Sequence, residues 1–409
     1  MLPAARTIIG AQSLASRLQS VGKTPDVLIE TPYQGQPVLL LALYQKGVIR
    51  PDVMRMLRAA RDKGLYVLAV NTLRLRDPQE LQGLVDCYIE RPNFGRDFGS
   101  YKTGFRHLYR QAWDRHCPRL LLVNDSVFFS SSRLAVFLDE MMNSSFSVLG
   151  ATENYEGSYH LGSFCIAMSG DILRHGRMRK FWRNYRLSDV RRVVIARGEV
   201  GLTQALRRCL RAPGDMAPLY GSARFAGESC KDADLLEFAV ANARRSDRVH
   251  WRRATADMLA DHLLASLTIA RHEADGANAH IEARIDEIGA REWVSSYKDV
   301  VRLVRSRVTD PDLVDDAAIH AASAAFMTEA FMVGSQIHQN GAILLRMGLP
   351  IIKLDGLYRG VYNISDINVI CGLLGQDEAE ELRGILMQRP FGENVLRGWR
   401  LTAFKWGYL

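Results

Sequence analysis

The chain has 409 residues, of which 47% are hydrophobic and 24% are charged, and its formal net charge is +8 at pH 7. This composition excludes a disordered chain, and the length suits one large domain or two medium ones. No apolar run approaches the roughly 18–20 residues that cross a bilayer, and the N-terminal stretch lacks the continuous apolar core of a signal peptide. We therefore expect a cytoplasmic protein.

The spacing of the cysteines and the distribution of charge limit which kinds of site and ligand are expected. The six cysteines are scattered, which predicts neither a zinc ribbon nor a disulfide framework. Basic residues bunch between Arg174 and Arg211. Such a field attracts phosphates, which nucleic acid, an anionic membrane surface or a nucleotide-linked small molecule can supply; a solvated helix face is the other interpretation.

Short apolar runs predict strands in the first half of the chain. The runs lie at 37–43, 66–71, 85–90, 119–129, 147–152 and 163–169, and helical patterns lie at 48–64 and 101–113. Strands that alternate with helices predict an α/β fold in which helices sandwich a mainly parallel sheet.

From about Lys231 the pattern changes, because apolar residues recur at helical spacing and β-branched runs become rare. This change predicts an all-helical insertion, after which a helix, a strand-like LPIIKLD and a short tail follow. The predicted organisation is an N-terminal segment at 1–35, an α/β domain at 36–225, the helical insertion at 226–330, and a C-terminal segment at 331–409 that returns to the core.

The stretch NFGRDFGSYKTGF, residues 93–105, suggests two familiar motifs that both fail. Asp97-Phe98-Gly99 is the tripeptide of a kinase magnesium loop, but no HRD-type catalytic loop precedes it. The spacing from Gly99 to Gly104 is that of a phosphate loop, but Phe105 stands where the lysine is required.

A simpler interpretation is that the strand at 85–90 turns into a helix whose first N–H groups face the carboxyl edge of the sheet. Helix N-termini at that edge favour anionic phosphate. Gly95 and Gly99 would allow a diphosphate to approach closely, and Arg96 and Lys102 would supply positive charge. The alternative is a tight strand-to-helix turn with no ligand.

Two further segments carry carboxylates. Asn124-Asp125-Ser126 ends a buried strand, where Asp125 can hold Mg²⁺ or Mn²⁺ against substrate phosphates, although all three residue types also favour turns. Glu199 lies in the first turn of an amphipathic helix, either as a base at the mouth of a cleft or as a glutamate that complements the helix dipole.

Together these segments resemble nucleotide-sugar glycosyltransferases of the GT-A fold, and more closely the rhamnan synthesis protein F family of polysaccharide-building enzymes. The likeness spans about residues 36–225 and 335–365 and leaves out the helical insertion. The matching segments are RPNFGRDFGSYKTG, LLLVNDSVFF, and the stretches at 160–169, 198–206 and 341–355.

The resemblance implies a GT-A-like domain at 36–225 that transfers a sugar, for example rhamnose, from a nucleoside-diphosphate sugar to a polysaccharide or lipid-linked glycan with inversion. Asn124-Asp125-Ser126 stands where these enzymes keep a metal-binding DxD, with Asn124 in place of the first Asp. Asp125 would then be the main metal or diphosphate contact, and Glu199 matches the general base.

The remaining roles also follow from the resemblance. Asn71 stands where relatives often use Asp to read the base, while His160 and Ser163 fall in a segment that faces the acceptor. His338 is either an additional diphosphate or metal contact or a structural histidine. The residues expected near the nucleotide are Asn93, Gly95, Arg96 and Asp97.

Two other functions compete with sugar transfer. One is a non-catalytic GT-A scaffold for binding or assembly, which the Asn124 replacement suggests. The other is nucleic-acid binding, which we do not expect because no recognition motif accompanies the basic stretch. That stretch and the Trp- and Arg-bearing tail also allow peripheral contact with the inner face of an anionic membrane, where a lipid-linked acceptor would lie.

Overall fold

A computed structural model describes residues 2–242, 256, 258–265, 296–307, 315–389 and 391–409. The chain divides into two compact units. The first unit comprises Met1–Gly221 and Gly348–Leu409, and the second unit comprises Ser222–Met347.

The strands all belong to the first unit. They are β1 (Asp26–Glu30), β2 (Val38–Leu43), β3 (Tyr66–Asn71), β4 (Cys87–Glu90), β5 (Arg119–Asn124), β6 (Val127–Phe129), β7 (Val148–Gly150), β8 (Glu153–Asn154), β9 (His160–Leu161), β10 (Cys165–Ser169), β11 (Met216–Pro218) and β12 (Ile351–Lys353).

The helices of the described ranges occur in both units. They are α1 (Leu2–Ser20), α2 (Pro51–Asp62), α3 (Arg96–Arg110), α4 (Leu134–Met142), α5 (Gly170–Arg174), α6 (Gly176–Asn184), α7 (Arg191–Val194), α8 (Gly201–Arg207), α9 (Ser222–Ser229), α10 (Ala233–Asn242), α11 (Tyr297–Arg307), α12 (Asp316–Met332), α13 (Gln336–Gln339), α14 (Gly341–Arg346), α15 (Gly356–Arg359), α16 (Ile364–Gly372), α17 (Gln376–Met387), α18 (Gly392–Val395) and α19 (Gly398–Lys405). Residues 258–265 are helical too, and a π-helical segment, Ile195–Val200, joins α7 to α8.

The main sheet has eight strands in the order β1-β4-β3-β2-β5-β10-β7-β11. The four strands β4, β3, β2 and β5 run parallel, whereas β1 and β10 are antiparallel to their neighbours. Every residue of β2, β3 and β5 is buried, as expected for parallel strands that helices cover on both faces. The structure thus confirms the mixed α/β architecture with a mostly parallel central sheet.

Helix α3 lies against one face of this sheet. Its buried Phe98, Tyr101 and Phe105 join a core cluster with Leu40 and Leu68. Gly104 permits the close approach, because a Cβ there would lie 2.3 Å from Leu40 Cδ1. This packing fixes the start of α3 near the carboxyl ends of the parallel strands.

The strand order places a switch point between β2 and β5. From β2 the chain moves outwards to β3 and β4, and then crosses back to β5 on the other side of β2. In open α/β sheets, ligands bind outside the carboxyl ends of the strands at such a point. Leu43 and Asn124, which end these two strands, therefore mark the expected crevice.

The run at 119–129 contains two strands, β5 and β6, and β5 ends at Asn124, as the sequence predicts. The Asn124 side-chain oxygen accepts hydrogen bonds from Ser126 N at 3.1 Å and Ser126 Oγ at 2.5 Å, which turns the chain after β5. Strand β6 then pairs with β12 in a separate two-stranded sheet, where Val127 lies opposite Lys353. The break brings Lys353 beside the Asn-Asp-Ser turn.

The second unit, Ser222–Met347, includes the stretch 226–330 that the sequence predicts as a helical insertion. Helix α14 belongs to it because this helix packs on α10 and buries Ile343 and Leu344. The helical patterns predicted at 266–295 lie outside the described residues. Within the part of the chain described, none of the helices has the length and apolarity needed to cross a membrane.

Candidate functional site

Asp125 lies in the crevice between β2 and β5 and is only 4% exposed. Its Oδ2 accepts hydrogen bonds from Tyr44 N at 2.7 Å and from Gln45 Nε2. Burial raises the pKa of Asp125 to about 6, although the Gln45 and Tyr44 hydrogen bonds and the charge of Arg50 oppose the change. The carboxylate therefore holds the loop that follows β2.

We expect this raised pKa to affect stability as a function of pH. Because the folded state keeps the Asp125 proton up to about pH 6, the cost of the buried charge grows as pH rises from 4 to 7. Asp125→Asn can still accept both hydrogen bonds, so its melting temperature should exceed that of the wild type increasingly between pH 5 and pH 7. A difference in melting temperature that stays constant over this range would contradict the raised pKa.

The Asn124-Asp125-Ser126 turn does not provide the donor set of a divalent metal site. Hard cations take six or more oxygen ligands and favour carboxylates. Here the two outer positions are Asn124 and Ser126, which bond each other, and Asp125 Oδ2 is engaged by two protein donors. Among the described residues, Asp125 belongs to no group of three acidic, His or Cys ligands that could hold an ion. The predicted Mg²⁺ or Mn²⁺ site at Asp125 does not fit these residues.

A side-chain cation lies beside this turn. Lys353 Nζ donates a hydrogen bond to Ser126 Oγ at 2.7 Å and lies 5.8 Å from the centre of the Phe164 ring. The ammonium group is thus fixed beside the Asn-Asp-Ser turn, where the resemblance implied a metal ion. Lys353 belongs to LPIIKLD, which the sequence predicts to be strand-like and which forms β12, but that pattern does not indicate this contact.

Asp97, in the first turn of α3, interacts electrostatically with Lys353 and with Glu199. Burial raises the pKa of Asp97, the charges of Lys353 and Arg96 lower it, and Glu199 raises it again. Asp97 in turn contributes to the raised pKa of Asp125. Carboxylates from three distant segments, at positions 97, 125 and 199, therefore share one electrostatic environment.

Glu199 lies in the π-helical segment Ile195–Val200, and its side chain is 30% exposed. Its Oε2 is 3.6 Å from Nε2 of His160, which is 1% exposed and whose Nδ1 is 2.8 Å from the Ser158 carbonyl oxygen. Because the Ser158 carbonyl oxygen accepts a hydrogen bond from Nδ1, Nε2 carries a hydrogen towards the Glu199 carboxylate only when the imidazole is protonated.

The pair with His160 keeps Glu199 ionised. Burial raises the pKa of Glu199, but the interaction with His160 and the charges of Lys353 and Arg191 lower it more, so the net pKa lies below the usual value. The pKa of His160 is raised overall, because Glu199 and the Ser158 carbonyl outweigh the effect of burial. Lys353 therefore acts on both Asp97 and Glu199.

The turn at Gly95 is closed by protein atoms rather than open to a ligand. Gly95 has φ = 94°, and a Cβ at this position would lie 2.9 Å from Leu187 Cδ2. Its N–H donates to Asp189 Oδ1 at 2.7 Å, and Arg96 Nε donates to the Asp189 carbonyl oxygen at 2.7 Å. The expectation that Gly95 and Arg96 contact a diphosphate is therefore not met here, because both residues hold the segment around Asp189.

The space beside Gly99 is also filled by protein atoms, which explains why a glycine stands at this position. A Cβ there would lie 2.6 Å from both Arg91 Nη1 and the Phe94 carbonyl oxygen. Arg91, which is 7% exposed, donates to the carbonyl oxygens of Phe94 and Pro92 and to Ser100 Oγ, and burial lowers its pKa to about 10. Arg91 thus organises the strand-to-helix turn, for which the sequence left open either a diphosphate site or a tight turn with no ligand.

We expect Gly99→Ala to lower the free energy of unfolding by about 1–3 kcal/mol, because the added Cβ meets backbone and a buried guanidinium. Gly384→Ala is the matched control, since a Cβ at this exposed helical position meets nothing within 4 Å. This control should be more stable than the wild type by up to about 1 kcal/mol. Chemical denaturation measures both values, and equal stability of the two variants would contradict the packing role of Gly99.

Lys102 and Asn71, two residues predicted to contact the nucleotide, form hydrogen bonds to the protein backbone. Lys102 Nζ donates to the carbonyl oxygens of Arg183 at 3.2 Å and Tyr185 at 2.6 Å, at the carboxyl end of α6, and so does not point to a diphosphate at the start of α3. Asn71, which is fully buried, exchanges hydrogen bonds with the Gln45 backbone at 3.0 and 2.9 Å. Instead of facing a base, Asn71 supports the loop that Asp125 holds.

The remaining predicted residues lie in three different places. Asn93 is exposed beside the turn before α3. Ser163 is 8% exposed, and its carbonyl oxygen accepts a hydrogen bond from Tyr101 at 2.9 Å, close to the β5 end of the crevice. His338 lies on α13 in the second unit, where its Nδ1 is 2.9 Å from Ser335 Oγ.

Sequence reasoning missed Arg50 and Gln45. Arg50 donates to the carbonyl oxygens of Asp125 at 3.0 Å and Val127 at 2.8 Å, and to both carboxylate oxygens of the buried Asp52. Both residues follow the strand predicted at 37–43, so the rule that ligands bind at the carboxyl ends of strands could have found them.

A separate group, Glu30, Cys87 and His107, brings three potential metal ligands within 4.8 Å of one another. His107 Nε2 lies 3.0 Å from Glu30 Oε1 and 3.7 Å from Cys87 Sγ. The group could hold a metal ion. However, Arg110 Nη2 lies 3.2 Å from His107 Nδ1, and this donor leaves the neutral ring's proton on Nε2, where it bonds Glu30.

Comparisons with known proteins add little to this geometry. A protein of Sinorhizobium fredii (strain NBRC 101917 / NGR234) named "Uncharacterized protein y4gN" is 26% identical over 171 residues. The match spans 40% of this chain and 44% of that protein, which is less than half the length of either. No family model matches the chain, and no solved structure matches it.

Proposed function

We propose that the protein is an inverting glycosyltransferase that uses a nucleoside-diphosphate sugar. The proposal is supported by the charge interactions of Asp97 with Asp125, Glu199 and Lys353, and by the hydrogen bond of Lys353 to Ser126 just after the end of β5. This edge of the sheet offers what the reaction requires, namely an ionised carboxylate and a fixed cation.

In the proposed reaction, Glu199 takes the proton of an acceptor hydroxyl while the hydroxyl oxygen attacks the anomeric carbon. The bond between that carbon and the diphosphate oxygen breaks, and the configuration inverts. Lys353 would stabilise the negative charge on the departing diphosphate. His160 would hold the Glu199 carboxylate in place, and Asp125 would position the loop after β2.

The finer parts of the proposal rest on the resemblance. They are a donor sugar such as rhamnose, an acceptor that is a polysaccharide or a lipid-linked glycan, and action at the cytoplasmic face of a membrane. The basic residues between Arg174 and Arg211 are compatible with peripheral contact there.

Calorimetry with a panel of nucleoside diphosphates, each with and without EDTA, tests donor binding. We expect one nucleotide to bind, with similar affinity in both conditions because Lys353 replaces the metal ion. Mass spectrometry of the matching nucleotide sugars, incubated with the protein and lipid-linked acceptors, then tests transfer. The absence of binding by every nucleotide would rule out the transferase.

One observation favours a second candidate, a non-catalytic scaffold in polysaccharide assembly. Asn124 and Ser126 hold each other and Lys353 in a hydrogen-bonded turn, which is also what a purely structural motif would do. This candidate predicts no release of sugar or nucleotide from any nucleotide sugar, whether or not nucleotides bind.

A further inference from the structure

A basic cavity lies along the outer side of α3, away from its N-terminus. It has a volume of about 840 Å³ and is lined by residues of α3, α6 and β1. Lys102, Arg106 and Arg110 recur in its wall once per turn of α3, while Arg179 and Arg183 repeat this spacing on α6. The row on α3 extends for about 12 Å along the helix axis.

Most of these positive charges have no carboxylate partner. Arg179 is the exception, because it pairs with the buried Asp114 and lies 4.7 Å from the centre of the Tyr109 ring. None of the described residues that line the cavity is acidic. Among the cations that line the cavity, those without an ion-pair partner in the described part of the chain are Lys102, Arg106, Arg110 and Arg183.

The backbone and one histidine orient two of these cations without neutralising them. Lys102 Nζ bonds two carbonyl oxygens, and Arg110 Nη2 lies 3.2 Å from His107 Nδ1. Four like charges held along two helices repel one another, so the arrangement has an electrostatic cost that an anion would relieve.

We propose that this cavity, which we call the α3–α6 cavity, binds an anion with two or more phosphoryl groups. A row of cations about 12 Å long matches an extended polyphosphate better than a single phosphate. Arginine and lysine are the side chains that recognise phosphoryl oxygens. The proposal is independent of sugar transfer, because it uses none of Asp97, Glu199 and Lys353.

The walls argue against single-stranded nucleic acid as the ligand. Binding of single strands generally requires aromatic faces on which bases stack. Trp182 is 1% exposed, and the Tyr109 ring is covered by Arg179. The lining therefore offers charge without a stacking surface, which suits a phosphate-rich headgroup or a free polyphosphate.

Calorimetry of the full chain with inorganic tripolyphosphate at low salt tests the proposal. The test variant is Arg106→Glu/Arg183→Glu, whose two positions are both exposed. The matched control is Arg58→Glu/Arg74→Glu, which makes the same change of charge at exposed positions outside the cavity. We expect the test variant to bind about tenfold more weakly or worse, and the control to bind within about twofold of the wild type.

Vesicles that contain a phosphatidylinositol bisphosphate, whose headgroup carries several phosphoryl groups, identify the source of the phosphate. Vesicle binding that tripolyphosphate displaces supports a lipid headgroup in the α3–α6 cavity, and tripolyphosphate binding without vesicle binding supports a soluble ligand. No saturable tripolyphosphate binding by the wild type would overturn the proposal. Equal affinity of the wild type and the test variant would overturn it as well, as would RNA binding that tripolyphosphate cannot displace.

Discussion

Glu199→Gln should abolish sugar transfer while nucleotide binding stays close to that of the wild type. The substitution keeps the size of the side chain but removes the group that would accept the acceptor proton. Loss of a general base costs about 10²–10⁴-fold in rate. The measurement is kcat for transfer from the nucleotide sugar, together with the calorimetric Kd for the nucleotide.

Glu156→Gln is a matched control for this variant. Glu156 is exposed and also acts on the charge of His160, so the control removes one negative charge from the same surroundings. Its transfer rate should stay near that of the wild type. If Glu199→Gln retained full activity, Glu199 would have no part in the mechanism, and the pair with His160 would be structural.

Lys353→Ala should lower kcat for transfer by about 10²–10³-fold, because it removes the fixed cation beside the departing diphosphate. Affinity for the nucleoside diphosphate should fall as well. Lys353→Arg keeps the charge and should retain most of the binding. The activity of the wild type should resist EDTA.

Two results would contradict this role of Lys353. One is wild-type activity that EDTA abolishes and Mn²⁺ restores, which would require a metal site that Asn124, Asp125 and Ser126 do not suggest. The other is a Lys353→Ala variant that performs no worse than Lys46→Ala, in which an exposed lysine from the loop after β2 is removed. Melting temperatures of all the variants separate these effects from unfolding.

The buried strands of the sheet were predictable from sequence. Continuous apolar runs correspond to β2, β3 and β5, because a strand covered on both faces needs no polar positions. Strand β1 was not predicted, since it lies at the edge and four of its five residues are exposed. The short strands β8, β9 and β11 are set by tertiary pairing and carry no local signal.

The site was predictable only in part. The rule that ligands bind at the carboxyl ends of parallel strands indicated the edge of the sheet where Asp125 lies. This edge could be predicted because it depends only on the direction of the strands. Which atoms fill the space around Gly95 could not be predicted, because Leu187 comes from a segment far along the chain that local patterns do not connect to this glycine. Likewise, the pairing of β6 with β12 brings Lys353 to Ser126 across more than 200 positions.

The π-helical turn that carries Glu199 contains one residue more than an α-helix needs over the same rise. Each residue of an α-helix turns by about 100°, so deletion of Ala196 could restore regular winding while rotating the preceding residues relative to those that follow. Glu199 and the buried Leu202 and Leu206 of α8 all follow the deletion, so they would rotate together relative to the buried Val194 of α7. The extra residue thus lets both helices bury their apolar residues while the Glu199 carboxylate lies opposite the His160 imidazole.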